Sequence, residues 1–230
     1  MLRLPLVFGL LFVVPASHAD DGVDTPRLQA GDAWTFRATL EKGSKVEHSE
    51  FDSKVARIVK TSMYVENSHT GSSAPPVEEL VSTDWSHSHE VSGKPVLADK
   101  PFAFPLAEGK AWDVSYTAAH PNPMYATETW TAHYTVVGWE DIEVPAGKFH
   151  ALKVEAEGTW SGMTTGKADP SRPVTGPVAP PHEASGRTYR ALWYVPSAKR
   201  AVKEVFEEFT SKGVMGVRRT TEMEAAHVSN

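Results

Sequence analysis

The chain contains no cysteine among its 230 residues. This absence excludes disulfide bonds and thiolate metal sites, so packing and hydrogen bonding alone must stabilise the fold. The sequence also lacks a Gly-rich phosphate loop, a GxSxG elbow and an HExxH motif, and no Ser is followed three residues later by Lys. With none of these patterns present, we expect no cofactor and no enzymatic activity.

Long apolar runs are absent from the chain except at its amino terminus, where residues 4–14 follow Arg3. The small residues Ser17 and Ala19 then precede Asp20, which completes the pattern of a signal peptide. We therefore expect residues 1–19 to form a signal helix that is cleaved before Asp20, and the mature protein to be periplasmic. The apolar run is shorter than the roughly 20 residues that span a bilayer, so no transmembrane segment is expected.

Basic residues are fewer than acidic ones, with 23 Lys and Arg against 29 Asp and Glu and a net charge of −6. Loss of residues 1–19, which contain Arg3 and no acid, makes this charge about −7. An acidic balance disfavours nucleic acid as a partner. The length of residues 20–230 suits a single β domain that buries a sizeable core.

Four stretches alternate apolar and polar residues with the period of two that a half-buried strand requires. They begin at Trp34, Trp112, Trp130 and Leu152, and each has one apolar and one polar face. This alternation is typical of antiparallel sheets with one solvated face. The sequence predicts an all-β fold with a single curved antiparallel sheet or half-open barrel of about ten strands. Shorter candidate strands cover residues 54–59, 62–66, 78–83, 188–195 and 214–223.

A tight turn is predicted at Pro145, Ala146 and Gly147, because Pro145 fixes φ and Gly147 permits a positive φ. Residues 141–144 and 149–160 should therefore form a hairpin. Two other segments are irregular. Residues 162–186 are rich in Pro and Gly and are expected to be a flexible loop, and residues 225–230 are expected to form a frayed tail.

Three phrases in the second half of the chain carry a family resemblance. They are FPL at 104–106 leading into GKAW at 109–112, VPAGKF at 144–149, and LWYVP at 192–196 followed by VK at 202–203. In this order they resemble the TapB-like family of bacterial periplasmic proteins, a group defined by a domain of unknown function. The first half matches only through GDAW at 31–34.

The resemblance implies a strongly curved antiparallel sheet, similar to the half-open barrels of LolA- and LolB-type lipoprotein carriers, and it implies no catalytic residues. It also implies a strand at residues 201–211. Periodicity alone favours a helix there, because Val202, Val205, Phe206 and Phe209 recur at helical spacing. We follow the resemblance and predict a strand.

Aromatic residues are plentiful, with seven Trp, and most occupy apolar strand positions. On a curved sheet such residues could line a concave face that holds an acyl chain or another apolar ligand. The alternative is that the rings simply fill a large core. The candidate ligand-binding residues are Trp34, Phe36, Trp112, Tyr116, Trp130, Tyr134 and Trp193.

A weaker candidate is a metal site at His87 and His89, because residues two apart on a strand share one face. Further ligands would have to come from His48, His69 or His133. The alternative, a polar hairpin with two solvated histidines, is the more frequent outcome of such a pattern. We therefore assign no metal site.

Three functional hypotheses follow from these features. The first is a noncatalytic binding or accessory protein for an apolar, lipid-like small molecule or an envelope protein. The second is a structural or protein-interaction module that uses a strand edge or the Pro-rich loop. The third is a hydrolase with a dispersed site, which would require His, Ser or acidic residues clustered in a pocket.

Overall fold

The computed structural model describes residues 22–91, 94–167 and 180–229. The expected signal peptide, its cleavage before Asp20 and the middle of the expected 162–186 loop lie outside the described residues. Within these ranges no helix is long and apolar enough to cross a bilayer. The described chain is almost entirely β-structure, as the alternating sequence pattern predicts.

Twelve strands and one 3₁₀ turn, at Pro196–Ala198, make up the described structure. The strands are β1 (Ala33–Lys42), β2 (Lys45–Val59), β3 (Ser62–His69), β4 (Val77–Ser82), β5 (His87–Val91), β6 (Lys94–Asp99), β7 (Ala111–Asn122), β8 (Tyr125–Val144), β9 (Gly147–Thr164), β10 (Glu183–Val195), β11 (Arg200–Thr210) and β12 (Met215–His227).

Ten of these strands form one antiparallel sheet in the order β4-β3-β2-β1-β12-β11-β10-β9-β8-β7. The sheet is open, because β4 and β7 lie at opposite ends of this order. The first and last strands in sequence, β1 and β12, are neighbours near the middle of the sheet. They pair from Ala33 opposite His227 to Glu41 opposite Arg218. Strands β5 and β6 form a separate hairpin.

The prediction of a strand at residues 201–211 is confirmed, since β11 spans Arg200–Thr210. Its misleading helical spacing has a physical cause. Lys203 pairs with Trp193 and Ala201 pairs with Tyr194, so Val202 is an extra residue without a partner on β10. Such a bulge adds one position to the strand. Beyond it Val205 and Phe206 are consecutive residues in regular register, so apolar side chains lie on both faces and hide the period of two.

Two boundary predictions are corrected by the pairing of the strands. Residues 162–164 belong to β9 and residues 183–186 to β10, and Met163 pairs with Glu183, so the connection is shorter than 162–186. The expected fraying after Glu224 is also wrong. Ala225 to His227 continue the ladder with β1, because each of their backbones finds a partner there.

The predicted hairpin at Pro145 is confirmed, with Val144 of β8 opposite Gly147 of β9. Beyond this turn the two strands pair along most of their length and form the longest ladder in the sheet. The Gly147 φ of 132° lies outside the range that most side chains adopt. The turn also contacts the middle of the sheet, because the Ala146 amide donates to the Met223 carbonyl.

The concave face of the sheet carries most of the core and is covered by residues from 83–91 and 94–106. Trp85 packs edge-on against Trp34, with ring centroids 5.5 Å apart. Phe102 packs against Tyr194 at 5.0 Å, and all four side chains are buried. The segment that contains the β5–β6 hairpin therefore lies over the sheet, and a cavity lies between them.

Candidate functional site

The cavity between the concave face and the β5–β6 hairpin has a volume of about 730 Å³. Its sheet side includes four aromatic residues from four strands: Phe36, Phe51, Tyr116 and Trp130. The hairpin contributes His87, His89, Ala98 and Asp99. A cavity of this size is in the range of small-molecule sites in proteins. We refer to it below as the central cavity.

Arg190 of β10 joins the sheet to the cover of the central cavity. Its Nη1 donates to Asp99 Oδ2 at 2.7 Å, and its Nε donates to Glu204 Oε1 at 2.9 Å. Burial alone would lower the pKa of Arg190, but the two carboxylates outweigh it and raise the pKa well above its usual value. Two carboxylates therefore balance the charge of this arginine.

Asp99 receives a second hydrogen bond, from the Tyr134 hydroxyl at 2.7 Å. Burial favours the neutral acid, but the charge of Arg190 and these hydrogen bonds lower the pKa of Asp99 below its ordinary value. Burial is the main cause of a raised Tyr134 pKa. Asp99 is therefore an anion and Tyr134 a neutral donor at neutral pH.

Arg200, at the start of β11, has a different environment. Its guanidinium carbon lies 4.5 Å from the ring centroid of Trp85, 4.6 Å from that of Phe36 and 4.8 Å from that of Trp34. Its hydrogen bond to a side chain runs from Nη1 to Ser53 Oγ at 3.2 Å. Burial lowers the pKa of Arg200 to about 10, which still leaves the group charged at neutral pH.

The two histidines singled out from the sequence both line the central cavity. His87 Nδ1 lies 2.9 Å from Glu79 Oε1, and this hydrogen bond lowers the pKa of Glu79. The His89 ring packs against Tyr116, with centroids 5.3 Å apart. The described residues contain no group of three or more His, Cys, Asp or Glu side chains placed to hold a metal ion.

Histidine contacts with carboxylates occur at the surface of the sheet. His133 contacts Asp113 at 2.8 Å and His150 contacts Asp141 at 2.6 Å, but these four side chains are largely exposed. In the described ranges no Ser or Thr hydroxyl bonds a histidine that also holds a carboxylate. We found no arrangement there that resembles a charge-relay triad.

The seven candidate aromatic residues are divided between the cavities, the core beside them and the opposite face of the sheet. Phe36, Tyr116 and Trp130 line the central cavity, and Trp130 and Tyr134 line a smaller adjoining cavity of about 210 Å³. Trp34 is buried in the core, and Trp112 stacks on Tyr134 with centroids 5.3 Å apart. These six belong to the concave side of the sheet.

Trp193 lies on the opposite face. Its neighbours Leu192 and Tyr194 are buried on the concave side, whereas the Trp193 indole donates to Glu140 at 2.9 Å and lies near Lys153 and Lys203. The alternation of strand side chains explains this placement, because Trp193 has the opposite parity to its neighbours. Trp193 is therefore separated from the central cavity by the sheet.

Sequence reasoning missed the charged residues of the cavity. Arg190 was detectable in principle, since it occupies the same parity as Leu192 and Tyr194 and thus puts a charge on an apolar face. Arg200 gave no such signal, because it follows a turn. Its aromatic neighbours come from β1 and from residue 85, which only the fold brings together.

No protein-family model matches the chain, and no curated protein matches its sequence. Solved structures do match. A candidate lipoprotein from Parabacteroides distasonis ATCC 8503 shares 14% identity at a TM-score of 0.50, covering 90% of this chain and all of that one. An exported protein with a YmcC-like fold from Bacteroides fragilis NCTC 9343 also shares 14% identity, at a TM-score of 0.44, over 90% of this chain and 99% of that one.

A LolA superfamily protein from Nitrosomonas europaea aligns over 90% of this chain and 89% of its own, at 6% identity and a TM-score of 0.33. At 14% identity the similarity concerns the fold alone, and it rests on the Parabacteroides structure, whose TM-score is 0.50. The TapB-like family itself is not confirmed.

Proposed function

We propose that this protein is a noncatalytic, exported binding protein that holds an amphipathic, lipid-like small molecule in the central cavity. The observation that carries the proposal is the cavity itself, about 730 Å³ between the sheet and its hairpin cover. Exposed aromatic surface inside a cavity is stabilised by contact with an apolar ligand. Export rests on the signal-peptide pattern of residues 1–19.

The composition of the cavity wall refines the ligand expected from the sequence. A purely apolar molecule would leave the guanidinium of Arg200, which lines the cavity and has Ser53 as its side-chain acceptor, against hydrocarbon. Desolvating a charge without a polar partner is costly. An amphipathic molecule avoids this cost, because its apolar part can contact the rings while its polar part contacts the charges.

The position of the cavity suits reversible binding. Its cover, the β5–β6 hairpin, is a separate two-stranded ladder and forms no strand pair with the main sheet. The cover is held instead by side-chain contacts such as the Arg190 to Asp99 ion pair and the packing of His89 on Tyr116. Contacts of this kind can part without breaking a ladder of the sheet.

Native mass spectrometry of the protein, purified from the periplasm without detergent, tests the proposal. We expect a discrete additional mass above that of residues 20–230, which organic extraction removes and identifies. A fluorescent amphiphile, N-phenyl-1-naphthylamine, should then bind to the extracted protein with saturable emission. A bare chain mass together with no saturable binding of this probe would refute a ligand-binding role.

A further inference from the structure

Arg200 is an arginine of the central cavity wall that the side chains of the described chain leave largely without partners. Among the described residues no carboxylate lies within 4.0 Å of its guanidinium, and Ser53 Oγ is its side-chain acceptor. A guanidinium carries five N–H donors in a planar fork. Most of its donor capacity is therefore not used by the side chains of the described chain.

Arg190 lines the same cavity but is paired with carboxylates of the protein. It is held by Asp99 and Glu204, at 2.7 and 2.9 Å, on two sides of its fork. The remaining acidic residue of the cavity wall, Glu79, is bound to His87. The carboxylates of the wall are thus hydrogen-bonded to other residues, and although the charge of Glu204 acts on Arg200, none of them forms an ion pair with it.

The three aromatic rings around Arg200 lower the free-energy cost of burying its charge but do not neutralise that charge. Trp34, Phe36 and Trp85 each lie within 4.8 Å of the guanidinium carbon. Cation–π contacts offset part of the cost of burying a cation, but an aromatic ring supplies no oxygen acceptor for the N–H edge of the fork. That edge prefers the paired oxygens of a carboxylate or a phosphate.

We propose that Arg200 is an anion-recognition site, and that the ligand of the central cavity is an amphiphile with a negatively charged carboxylate or phosphate head group. This inference rests on the proposed function and adds the chemical class of the ligand. The head group binds the N–H edge of Arg200, and the apolar part of the ligand lies along the aromatic wall that includes Phe36 and Trp130. Ser53 holds the guanidinium in place.

Matched probes test the assignment on the wild-type protein. Dansyl-aminoundecanoic acid and its methyl ester share one apolar body and differ in charge. We expect the acid to bind at least about tenfold more tightly than the ester, as charge-assisted hydrogen bonds require. Displacement of the bound acid by dodecanoate, dodecyl phosphate and dodecanol then compares a carboxylate, a phosphate and an uncharged head group. Either anion should displace the acid at least about tenfold better than dodecanol.

Variants locate the effect at Arg200. Arg200→Met should abolish the preference for the acid and leave ester binding within about twofold, whereas Arg200→Lys should keep a reduced preference because it retains charge but loses the fork. Arg218→Met is the matched control, since Arg218 contacts Glu207 rather than the cavity wall and the charge change is the same. Circular dichroism and thermal unfolding verify that each variant is folded.

The outcomes separate the two proposals. Saturable binding of acid and ester with equal affinity overturns the role of Arg200 and leaves the ligand-binding function standing. Retention of the acid preference in folded Arg200→Met also overturns it. Failure of the wild type to bind either probe, with a bare mass in the native spectrum, removes the binding function and the assignment of Arg200 together.

Discussion

Arg190 and Asp99 are 91 residues apart in sequence, and their side chains meet at 2.7 Å where the β5–β6 hairpin rests on the sheet. Their side chains are only 21% and 29% exposed, so water screens the pair weakly. The contact ties the cover of the central cavity to its floor. The stability of the cover should therefore depend on this pair.

Asp99→Asn should lower the free energy of unfolding by about 2–3 kcal/mol, because Arg190 then loses one of two carboxylates in a partly buried site. Urea unfolding followed by circular dichroism measures the change. The control is Glu143→Gln, whose partner Lys148 lies 3.9 Å away with both side chains exposed. Equal effects of the two substitutions would contradict a special role for Asp99.

A second buried pair should give the protein a defined acid sensitivity. Asp32 is 1% exposed and accepts hydrogen bonds from Lys199 Nζ at 3.0 Å and from the Ser229 amide at 2.7 Å. Burial alone would raise the pKa of Asp32. The amides of Ser229 and Gln29, the Ser229 hydroxyl and Lys199 outweigh burial and lower it below 3.8.

A carboxyl whose pKa is lowered by folding stabilises the protein above its ordinary pKa, and this contribution is lost as the pH falls through the lowered value. We expect Asp32→Asn to cost about 2–3 kcal/mol at neutral pH and progressively less below pH 4. Urea unfolding of both proteins from pH 7 to pH 3 measures the gap. The exposed Asp113→Asn serves as control, and a gap independent of pH would contradict the expectation.

Gly186 of β10 should resist substitution because of its neighbours. A Cβ placed there would meet the carbonyl oxygen of Phe209 and lie 2.5 Å from Nε1 of Trp160. We expect Gly186→Ala to destabilise the protein by about 1–3 kcal/mol through overpacking. Gly216→Ala is the control, since the nearest atom to its added Cβ is 3.7 Å away. Chemical unfolding of both variants compares them directly.

Trp130 should contribute to ligand affinity. It lines both the central cavity and the adjoining one, so its removal takes apolar contact from any ligand that fills them. We expect Trp130→Ala to weaken binding of N-phenyl-1-naphthylamine at least about fivefold. Trp139→Ala is the matched control, because Trp139 is 37% exposed and stacks on His150. Equal loss in the two variants would argue against binding at the concave face.

The strands were predictable because a strand buried on one face alternates apolar and polar residues, as in the stretch beginning at Trp130. The same rule failed for residues 201–211, where Val202 is an extra residue and the consecutive apolar residues Val205 and Phe206 lie on opposite faces. The charged part of the cavity was not predictable. The aromatic neighbours of Arg200 come from distant parts of the chain, and so does Asp99, the partner of Arg190. These side chains meet only because the fold brings those parts together at one face of the sheet.

The order of the strands also affects how the chain can fold. Strand β12 joins two blocks, β1 to β4 on one side and β7 to β11 on the other, which it alone links in the sheet. If the polypeptide emerges amino end first, these blocks can pair internally, but the sheet stays in two pieces until residues 215–227 arrive. A chain delivered across a membrane in this direction therefore completes its sheet only when its last strand has crossed.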